Sequence, residues 1–432
     1  TTLFRSNLKT TSGDKGFDKS VGTVTANNIE TINLSANGMT DGKKTTVGAL
    51  TGNAVKTLNI TGDSDVTISA FTSSTALVTI DGSTASGDLS LAAAPAAKDQ
   101  SIKTGSGNDT ITMGAFLTAA DTIDGGANNV PAGGTTTGKD TLTATGNIGT
   151  VTTAAALKIA NVETIEVATG GAAATYIDAA AVTGATTMAF SATSGTVKLT
   201  NLAAGTAIGL GETTNTFTGT MDISLADATG AADSISFTTA TADAANTVAL
   251  TIAAAVETVN IAATTDATNA RTATFTNTNN AAKNIVLTAG QAADTVALGT
   301  LNAATTNVDA SKLAAKLTVT TAATGAVTVS ANGTVANNVT AGAGADTITL
   351  AGKLGTTVQT IAGGTGNDVL NVQADSATTN LISVSGVETI NITVAGNNQA
   401  GITQDTNGGT AGTDIDGLNA ATTVNLLGGD SL

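Results

Sequence analysis

The feature that most constrains the fold of this 432-residue chain is a short phrase that occurs four times. Other landmarks recur in the same order at offsets of about 225 to 240 residues, so that SGNDTITMG around Asp109 returns as GADTITLAG around Asp346. Self-similarity of this kind predicts a fold built from stacked copies of one small unit. The copies hold four of the six Glu residues and read NIETINL (28–34, Glu30), NVETIEV (161–167, Glu163), AVETVNI (255–261, Glu257) and GVETINI (386–392, Glu388).

The matching offsets predict a duplicated module. The Glu residue of the phrase has two open roles, a calcium ligand or an ion pair with a Lys on a neighbouring coil, and we favour the structural role. The predicted division is a connecting segment at 1–26, a first β-solenoid module at 27–168, a β-rich spacer at 169–253, a second β-solenoid module at 254–395 and the start of a further spacer-like repeat at 396–432.

Short alternating segments between the landmarks predict an all-β fold. VTIS at 66–69, TITM at 110–113 and TITL at 347–350 alternate β-branched or aliphatic residues with polar ones, which is the pattern of a strand. Because the chain is 2% aromatic and its apolar residues are mostly small, a narrow core repeated many times is favoured over a thick one. We therefore predict a right-handed parallel β-solenoid with β-helix-like rungs. The alternative is a conventional sandwich array with Thr-rich strands.

Composition also excludes several classes of function. His, Cys and Trp are absent, which rules out a Ser/His/Asp triad, a zinc or haem site and a disulfide framework. A net charge of −16 disfavours nucleic acid and anionic membranes as partners, and no apolar stretch is long enough for a transmembrane helix. We expect a protein that is not an enzyme, binds no nucleic acid and is not embedded in a membrane.

Three Gly-rich segments carry the pattern of a calcium turn. GGTGNDVLN at 363–371 fits the nonapeptide G-G-x-G-x-D-x-U-x at every constrained position, and TGSGNDTIT at 104–112 and AGAGADTIT at 341–349 lack only the first Gly. Glycines let the backbone turn tightly and aim its carbonyls inward, while the Asp adds a carboxylate to the oxygen ligands that Ca²⁺ requires. One turn supplies half of a cage, so a neighbouring coil must supply the rest.

The predicted metal residues follow from these segments and from acids that the repeat places near them. Weaker candidates keep an Asp before a strand but lack the glycines, and for them the capping of a turn by the Asp is the preferred interpretation. The predicted ligands and turn glycines are Gly105, Gly107, Asp109, Asp121, Asp124, Gly126, Asp140, Gly342, Gly344, Asp346, Gly363, Gly364, Gly366 and Asp368, and the weaker candidates are Asp63, Asp65, Asp233 and Asp294.

These motifs, together with GVETINI, AVETVNIAAT and the Thr/Ala/Gly-rich rungs, resemble the calcium-binding, RTX-type surface-layer proteins of Gram-negative bacteria. The resemblance covers about residues 25–430, although the RTX motifs are scattered here rather than in tandem. It implies Ca²⁺ as the cofactor, export by a type I system through an uncleaved C-terminal signal, and assembly outside the cell. Because the sequence starts without Met, we expect it to be a processed or excerpted piece, and the lack of a visible cleavable signal peptide and of Cys agrees with type I export.

The function expected from this resemblance is a structural subunit of a calcium-dependent surface layer on the bacterial outer cell surface, which self-assembles into a two-dimensional lattice. The expected partners are further copies of the chain, with cell-surface polysaccharide or lipopolysaccharide bound through a region not recognised here. The alternative is a secreted RTX-type adhesin or an extracellular filament or biofilm-matrix protein. A calcium-dependent polysaccharide lyase and an ice-binding protein are weighed and disfavoured, because sugar-stacking aromatics are scarce and the Thr-x-Thr pairs are irregularly spaced.

Overall fold

The structure, a computed structural model, divides into two compact units, Thr1–Thr206 and Ala207–Leu432. Their boundary lies inside the segment predicted as a spacer, and each unit is considered by itself. The structure describes residues 4–9, 18–38, 43–92, 98–128, 138–146, 148–149, 154–169, 175–192, 195–210, 217–239, 246–252, 256–263, 272–277, 282–291, 293–321, 324–354, 356–374, 380–394, 402–403, 413–416 and 421–428.

The first unit is built from short strands separated by turns. Its strands are β1 Phe4–Lys9, β2 Lys19–Thr25, β3 Thr31–Asn37, β4 Lys44–Thr51, β5 Thr57–Gly62, β6 Asp65–Ile68, β7 Phe71–Thr72, β8 Thr79–Ala85, β9 Leu89–Leu91, β10 Ser101–Lys103, β11 Thr110–Gly114, β12 Thr122–Asp124, β13 Thr141–Thr145, β14 Ala155–Ala156, β15 Lys158–Ala160, β16 Thr164–Thr169, β17 Thr175–Asp178, β18 Val182–Thr183, β19 Thr187–Ala192 and β20 Thr196–Leu202.

The second unit has the same construction. Its strands are β21 Ala207–Leu210, β22 Thr218–Leu225, β23 Ser234–Thr239, β24 Asn246–Ile252, β25 Thr258–Ala263, β26 Thr272–Asn277, β27 Asn284–Ala289, β28 Thr295–Leu301, β29 Asn307–Leu313, β30 Lys316–Thr321, β31 Thr328–Asn332, β32 Asn337–Thr340, β33 Thr347–Lys353, β34 Gln359–Ala362, β35 Val369–Ala374, β36 Asn380–Ser385, β37 Thr389–Val394, β38 Ile402–Thr403, β39 Thr413–Asp416 and β40 Thr423–Gly428.

The strands of the first unit form sheets in which the chain returns once per coil. Sheet 1 has the order β1-β3-β5-β8-β10-β12-β15-β18. Sheet 2 contains β2, β4, β6, β7, β9, β11, β13, β16 and β19, and both β6 and β7 pair with β4. The three remaining strands of this unit, β14, β17 and β20, pair with one another in that order. The pairings within these sheets are parallel, which makes the unit a parallel β-solenoid.

In the second unit the strands alternate between two sheets. Sheet 3 runs from β21 through the odd-numbered strands to β37 and then β40, and sheet 4 runs from β22 through the even-numbered strands to β36, β39 and β38. All of these pairings are parallel. The described residues contain no helix, and none therefore that could cross a membrane. The predicted all-β parallel solenoid is confirmed, and the sandwich array is wrong.

The core of each unit is a column of aliphatic side chains from successive coils. Val329, Ile348 and Leu370 lie side by side on three neighbouring strands of sheet 3, and all three are buried. The residues next to Ile348 along its strand, Thr347 and Thr349, are half-buried and polar, because successive side chains of a strand point to opposite faces. Alternation of inward and outward side chains along each strand therefore builds a continuous core, even where only two side chains per strand point inward.

Polar side chains form matching columns on the outer face. Asn391 donates from Nδ2 to Oδ1 of Asn371 at 2.8 Å, and Asn425 donates to Asn391 at 2.8 Å. The same arrangement joins Asn59 to Asn33 in sheet 1 at 2.7 Å. Parallel, in-register stacking brings identical side chains together and so permits these amide ladders.

A pair of leucines tests whether the narrow core carries the stability. Leu370 is 0% exposed and Leu426 is 66% exposed. We expect Leu370→Ala to lower the free energy of unfolding by about 2–5 kcal/mol, because it opens a cavity between coils, and Leu426→Ala to change it by less than about 0.5 kcal/mol. Denaturant titration followed by circular dichroism measures both, and equal losses would contradict a core confined to these columns.

Candidate metal sites

Two groups of stacked turns, one in each unit, bring the strongest predicted acids together. The first acidic stack consists of the turns at 104–109, 124–128 with 138–140, and 161–163, which lead into β11, β13 and β16. The second acidic stack consists of the turns at 341–346, 362–368 and 385–388, which lead into β33, β35 and β37. In each stack, two Asp residues and one Glu residue lie immediately before the three strands.

Main-chain hydrogen bonds show that the two stacks have the same backbone arrangement. In the first, the amide of Gly125 donates to the carbonyl of Ala160 at 2.9 Å, and that of Ala127 to Gly105 at 2.8 Å. The second stack repeats these bonds, since Gly363 donates to Ser385 at 2.8 Å and Thr365 to Gly342 at 3.0 Å. The duplication seen in the sequence is therefore also a duplication of these turns.

A chain of carboxylate hydrogen bonds runs through the first stack. The amide of Asp109 donates to Oδ1 of Asp140 at 2.6 Å, and the amide of Asp140 donates to Oε2 of Glu163 at 2.8 Å. Asp109 in turn accepts the amide of Leu89 at 2.7 Å. Each acid thus holds the main chain of the preceding coil, which fixes the carboxylate orientation.

The second stack contains the same chain of bonds. Asp346 donates from its amide to Oδ1 of Asp368 at 2.8 Å, and Asp368 donates to Oε2 of Glu388 at 2.8 Å. Oδ1 of Asp346 accepts the amide of Val327 at 2.7 Å. Asp346 and Asp368 therefore meet on adjacent coils.

Three of these carboxylates have a second oxygen without a partner. Oδ2 of Asp140, Asp346 and Asp368 is buried and has no hydrogen-bond partner among the residues that the structure describes. Each of the three side chains is at most 1% exposed. Because a buried carboxylate oxygen left unpaired is costly, these atoms are candidates for binding a cation.

The glycines of the second turn in each stack, which form what we call a cradle, let these oxygens approach the main chain closely because they carry no Cβ. A Cβ on Gly125 would overlap the carbonyl oxygen of Asn161 and lie 2.6 Å from Oδ2 of Asp140. A Cβ on Gly363 would likewise overlap the carbonyl oxygen of Gly386 and lie 2.9 Å from Oδ2 of Asp368. Both cradles are thus lined by a main-chain oxygen and a free carboxylate oxygen, which is the donor set that Ca²⁺ prefers.

Burial raises the pKa of the stacked carboxyls. Desolvation raises the pKa of Asp140 to about 7; repulsion from neighbouring acids adds to this effect, and the hydrogen bond from the Asp109 amide opposes it. Desolvation is also the main cause that raises the pKa of Asp109 to about 6. Desolvation also raises the pKa of Asp368, with the charges of Asp346 and Glu388 adding to the effect. A cation beside these groups would favour the ionised form.

The remaining predicted glycines of the stacks lie where a side chain would collide with a neighbouring turn. Gly126 and Gly364 have left-handed φ values of 85° and 92°, and a Cβ on either would lie within 2.8 Å of a carbonyl oxygen on the preceding turn. The other glycines that a Cβ would bring against main-chain atoms of an adjacent turn are Gly105, Gly107, Gly344 and Gly366, and Gly342 contributes its carbonyl as the acceptor for Thr365.

Asp121 and Asp124 are engaged in other hydrogen bonds. Asp121 precedes β12 in sheet 1, and its oxygens accept the amides of Gln100 at 2.6 Å and Thr118 at 2.7 Å. Oδ1 of Asp124 accepts the amide of Gly126 at 3.1 Å and Nδ2 of Asn161 at 2.8 Å. Asp124 therefore lies in the first stack, whereas Asp121 caps a turn on another sheet, and a metal role for either stays a prediction.

The weaker candidates lie outside the two stacks. Asp63 is exposed and accepts the amide of Gly38 at 2.6 Å, and Asp65 accepts the amide of Asp88 at 2.9 Å. Both carboxylate oxygens of Asp294 accept hydrogen bonds from Gln291, from its amide and from Nε2, each at 3.3 Å. The contacts of Asp294 are local, as turn capping requires, whereas those of Asp63 and Asp65 join neighbouring coils.

Asp233 differs from the other weak candidates. Its amide donates to Oε2 of Glu257 at 3.0 Å, and its own Oδ2 is buried without a partner among the described residues. This pair repeats the acid-to-Glu bond of the two stacks but has no glycine turn of the nonapeptide type before it. Glu30 takes the other role open to these residues, since it forms an ion pair with Lys56 at 3.0 Å on the next coil.

Several residues of the sites were missed at the level of sequence. Gly138 was missed, and together with the predicted Asp140 it completes the turn that Gly125 and Gly126 begin, because an insertion between Gly126 and Gly138 interrupts a nonapeptide of the same type. Glu163 and Glu388 contact the predicted Asp residues directly, and the preference for a structural role did not reveal that contact. The available signal was that Asp140 and Glu163 recur in the same order as Asp368 and Glu388, at the similar offsets of 228 and 225 residues.

No group of three or more acidic side chains converges as a metal cage within the described parts of the chain. A cation in either stack would need main-chain oxygens for most of its ligands, as the glycine-rich turns supply. Comparison of the chain with protein-family models and with curated proteins gives no match.

The raised carboxyl pKa values predict how the metal-free protein responds to pH. A carboxyl whose native pKa exceeds its ordinary value of 3.8 contributes most stability in acid and loses that contribution as the pH rises through about 7. Asp140→Asn keeps the acceptor for Asp109 and removes the charge. In chelator at pH 8, we expect it to raise the free energy of unfolding by about 1–3 kcal/mol and to flatten the decline between pH 5 and 8.

Urea titrations at several pH values measure this effect. Asp227→Asn is the control, because Asp227 is exposed in a turn and hydrogen bonds from Thr229 lower its pKa. A steeper decline for Asp140→Asn than for the unaltered chain would contradict the assignment.

The cradle itself is tested by filling it. Gly363→Ala places a methyl group against the carbonyl of Gly386 and Oδ2 of Asp368, whereas Gly325→Ala places one in open space. We expect the first substitution to destabilise the chain by about 1–3 kcal/mol and the second by less than about 0.5 kcal/mol. Thermal unfolding of both variants provides the comparison, and identical midpoints would show that the space beside Gly363 is not constrained.

Proposed function

We propose that this chain is a structural subunit of a calcium-dependent surface layer, of the RTX type, on the outer surface of a bacterial cell. The observation that carries the proposal is the pair of acidic stacks, in which buried carboxylate oxygens without partners face glycine-rich turns. Calcium is the ion proposed, because the donors are carboxylate and main-chain oxygens and the sequence has no His or Cys for a softer metal.

Bound calcium would compensate the negative charge of the buried carboxylates. In the second stack the candidate donors are Oδ2 of Asp368 and the carbonyl of Gly386, and in the first they are Oδ2 of Asp140 and the carbonyl of Asn161. Neutralising these sites would remove repulsion within each stack and join adjacent coils. Folding and calcium binding would therefore be coupled.

The remaining features support a structural role rather than an enzymatic one. The solenoid presents long columns of Thr, Asn and Ser on its outer faces, and its net charge of −16 would keep copies of the chain apart until calcium reduces the repulsion. Self-association into a two-dimensional lattice outside the cell, after type I secretion, is the assembly that we propose. Surface polysaccharide or lipopolysaccharide would be a further partner through a region that these residues do not reveal.

The alternative proposal is a secreted adhesin or an extracellular filament. The exposed side chains of Val424, Leu426 and Leu427 on β40 support association between copies, because they form an apolar surface among the described residues. A filament and a sheet would use the same calcium sites and differ in the geometry of contacts between copies.

Assembly in the presence and absence of calcium tests the proposal. We expect light scattering and electron microscopy to show ordered sheets in calcium and dispersed chains in excess chelator. Filaments in calcium would favour the alternative. Assembly and circular dichroism that chelator leaves unaltered would falsify the calcium-dependent role.

A variant with fewer stack charges sharpens this test. Asp140→Asn with Asp368→Asn removes two carboxylates from the stacks, and we expect it to need at least about tenfold more calcium to assemble. Asp227→Asn with Asp309→Asn removes the same charge outside the stacks, at positions where the Asp accepts a hydrogen bond from a residue two positions later. That control is expected to assemble like the unaltered chain.

A further inference from the structure

The turn that begins the repeated V-E-T phrase has an unusual backbone in both stacks. Asn161 and Gly386 immediately precede Val162 and Val387, and they have left-handed φ values of 54° and 58°. Asn is the side-chain-bearing residue that tolerates this region best, together with Asp, and Gly adopts it freely. The two turns therefore share one backbone conformation despite different residues.

The carbonyl oxygen of this left-handed residue faces the cradle of the preceding turn. Asn161 O and Oδ2 of Asp140 both border the position that a Cβ on Gly125 would occupy. Gly386 O and Oδ2 of Asp368 border the equivalent position at Gly363. In each stack the two oxygens lie within about 5 Å of each other, a separation that two ligands of one Ca²⁺ can have at 2.3–2.6 Å from the ion.

The Glu of the phrase holds the Asp in this position. Glu388 accepts the amide of Asp368 at 2.8 Å, and the carbonyl of Asp368 accepts the amide of Thr389 at 2.9 Å. Glu163 does the same for Asp140, with Thr164 as the returning donor at 3.0 Å. The Asp is therefore bound from both sides of its main chain by one V-E-T turn.

We propose that the V-E-T turn is the closing half of a calcium site in each stack, in which the carbonyl of Asn161 or Gly386 is a ligand and Glu163 or Glu388 is a positioning residue. This inference rests on the calcium binding of the proposed function. It assigns a role to a phrase whose residues lie outside the nonapeptide, and it identifies the neighbouring-coil half of the cage.

The other two copies of the phrase show why the whole arrangement matters. Glu257 accepts the amide of Asp233 at 3.0 Å, but Asp233 is half-exposed and lacks the nonapeptide glycines. Glu30 belongs to the copy that reads I-E-T, in which Asn28 has the same left-handed conformation with φ of 61°, yet Glu30 pairs with Lys56 and precedes a strand of sheet 1. A V-E-T turn therefore closes a site only where a glycine turn and a buried Asp precede it.

Calcium titration of the full chain tests the role of Glu. We expect Glu388→Ala to weaken one class of sites by about 10- to 100-fold, as loss of an orienting partner does in metal sites. Glu388→Gln retains an acceptor oxygen and is expected to stay within about threefold of the unaltered chain. Glu257→Ala removes the equivalent hydrogen bond from the amide of Asp233, which has no nonapeptide glycine turn before it. We expect this variant to bind calcium with the affinity of the unaltered chain.

A second variant covers the case in which Glu388→Ala does not fold. Glu388→Asp keeps the charge but shortens the side chain by one methylene, so it is expected to weaken calcium binding as Glu388→Ala does. Circular dichroism establishes folding, and equilibrium dialysis with calcium chloride counts the ions bound per chain.

A pair of glycines tests the role of the carbonyl. Gly386→Ala would strain a left-handed residue and place a Cβ 2.8 Å from the carbonyl oxygen of Gly364, whereas Gly352, with φ of 78°, has no atom within 4 Å of a Cβ. We expect Gly386→Ala to reduce the rise in Tm on calcium addition by at least half. Gly352→Ala is expected to lower Tm equally with and without calcium.

The outcomes separate this inference from the function on which it rests. An unaltered chain that binds no calcium would overturn the proposed function. A chain that binds calcium, with Glu388→Asp and Gly386→Ala at unaltered affinity and unaltered Tm increment, would overturn the inference alone. Weakening in Glu257→Ala equal to that in Glu388→Ala would also overturn it, because the effect would then be independent of the cradle.

Discussion

Parallel hydrogen bonding in register is the constraint on which both units depend. It brings each residue beside its counterpart one coil later, so that Ile348 lies beside Leu370, and Asn391 donates a hydrogen bond to Asn371. Side chains of the same chemical type therefore stack on one another in neighbouring coils. Aliphatic residues gain from this repetition by burial, and amides gain by ladder formation, but carboxylates repel one another.

The acidic stacks are the places where this constraint becomes costly. Asp346, Asp368 and Glu388 occupy successive coils at one edge of sheet 3, and two of them are nearly inaccessible to solvent. One oxygen of each Asp accepts a main-chain amide, which lowers part of the cost, while the other has no partner in the described structure. An arrangement of this kind is stable near neutral pH when a proton or a cation compensates the charge. This arrangement supports the proposal that calcium couples folding and assembly.

Much of this architecture was accessible from the residues. Period-two segments such as TITL at 347–350 gave the strands, small side chains gave the narrow coils, and the nonapeptide at 363–371 identified one stack. The role of Glu388 was not accessible, because a Glu that binds an amide twenty residues away has the same local sequence as one that pairs with Lys. Glu30 and Glu388 share a phrase and differ only in what the neighbouring coil presents.

The sequence by itself determined the all-β class, the duplication and the residue types available for a metal, since these depend on periodicity and composition alone. Only the tertiary structure decided which acids meet. Asp121 follows Asp109 closely in sequence yet caps a turn on another sheet, whereas Asp140 lies 31 residues away and accepts the Asp109 amide. The physical reason is that coil length, including the insertion before Gly138, sets the register between neighbouring coils, and a register is a property of two segments at once.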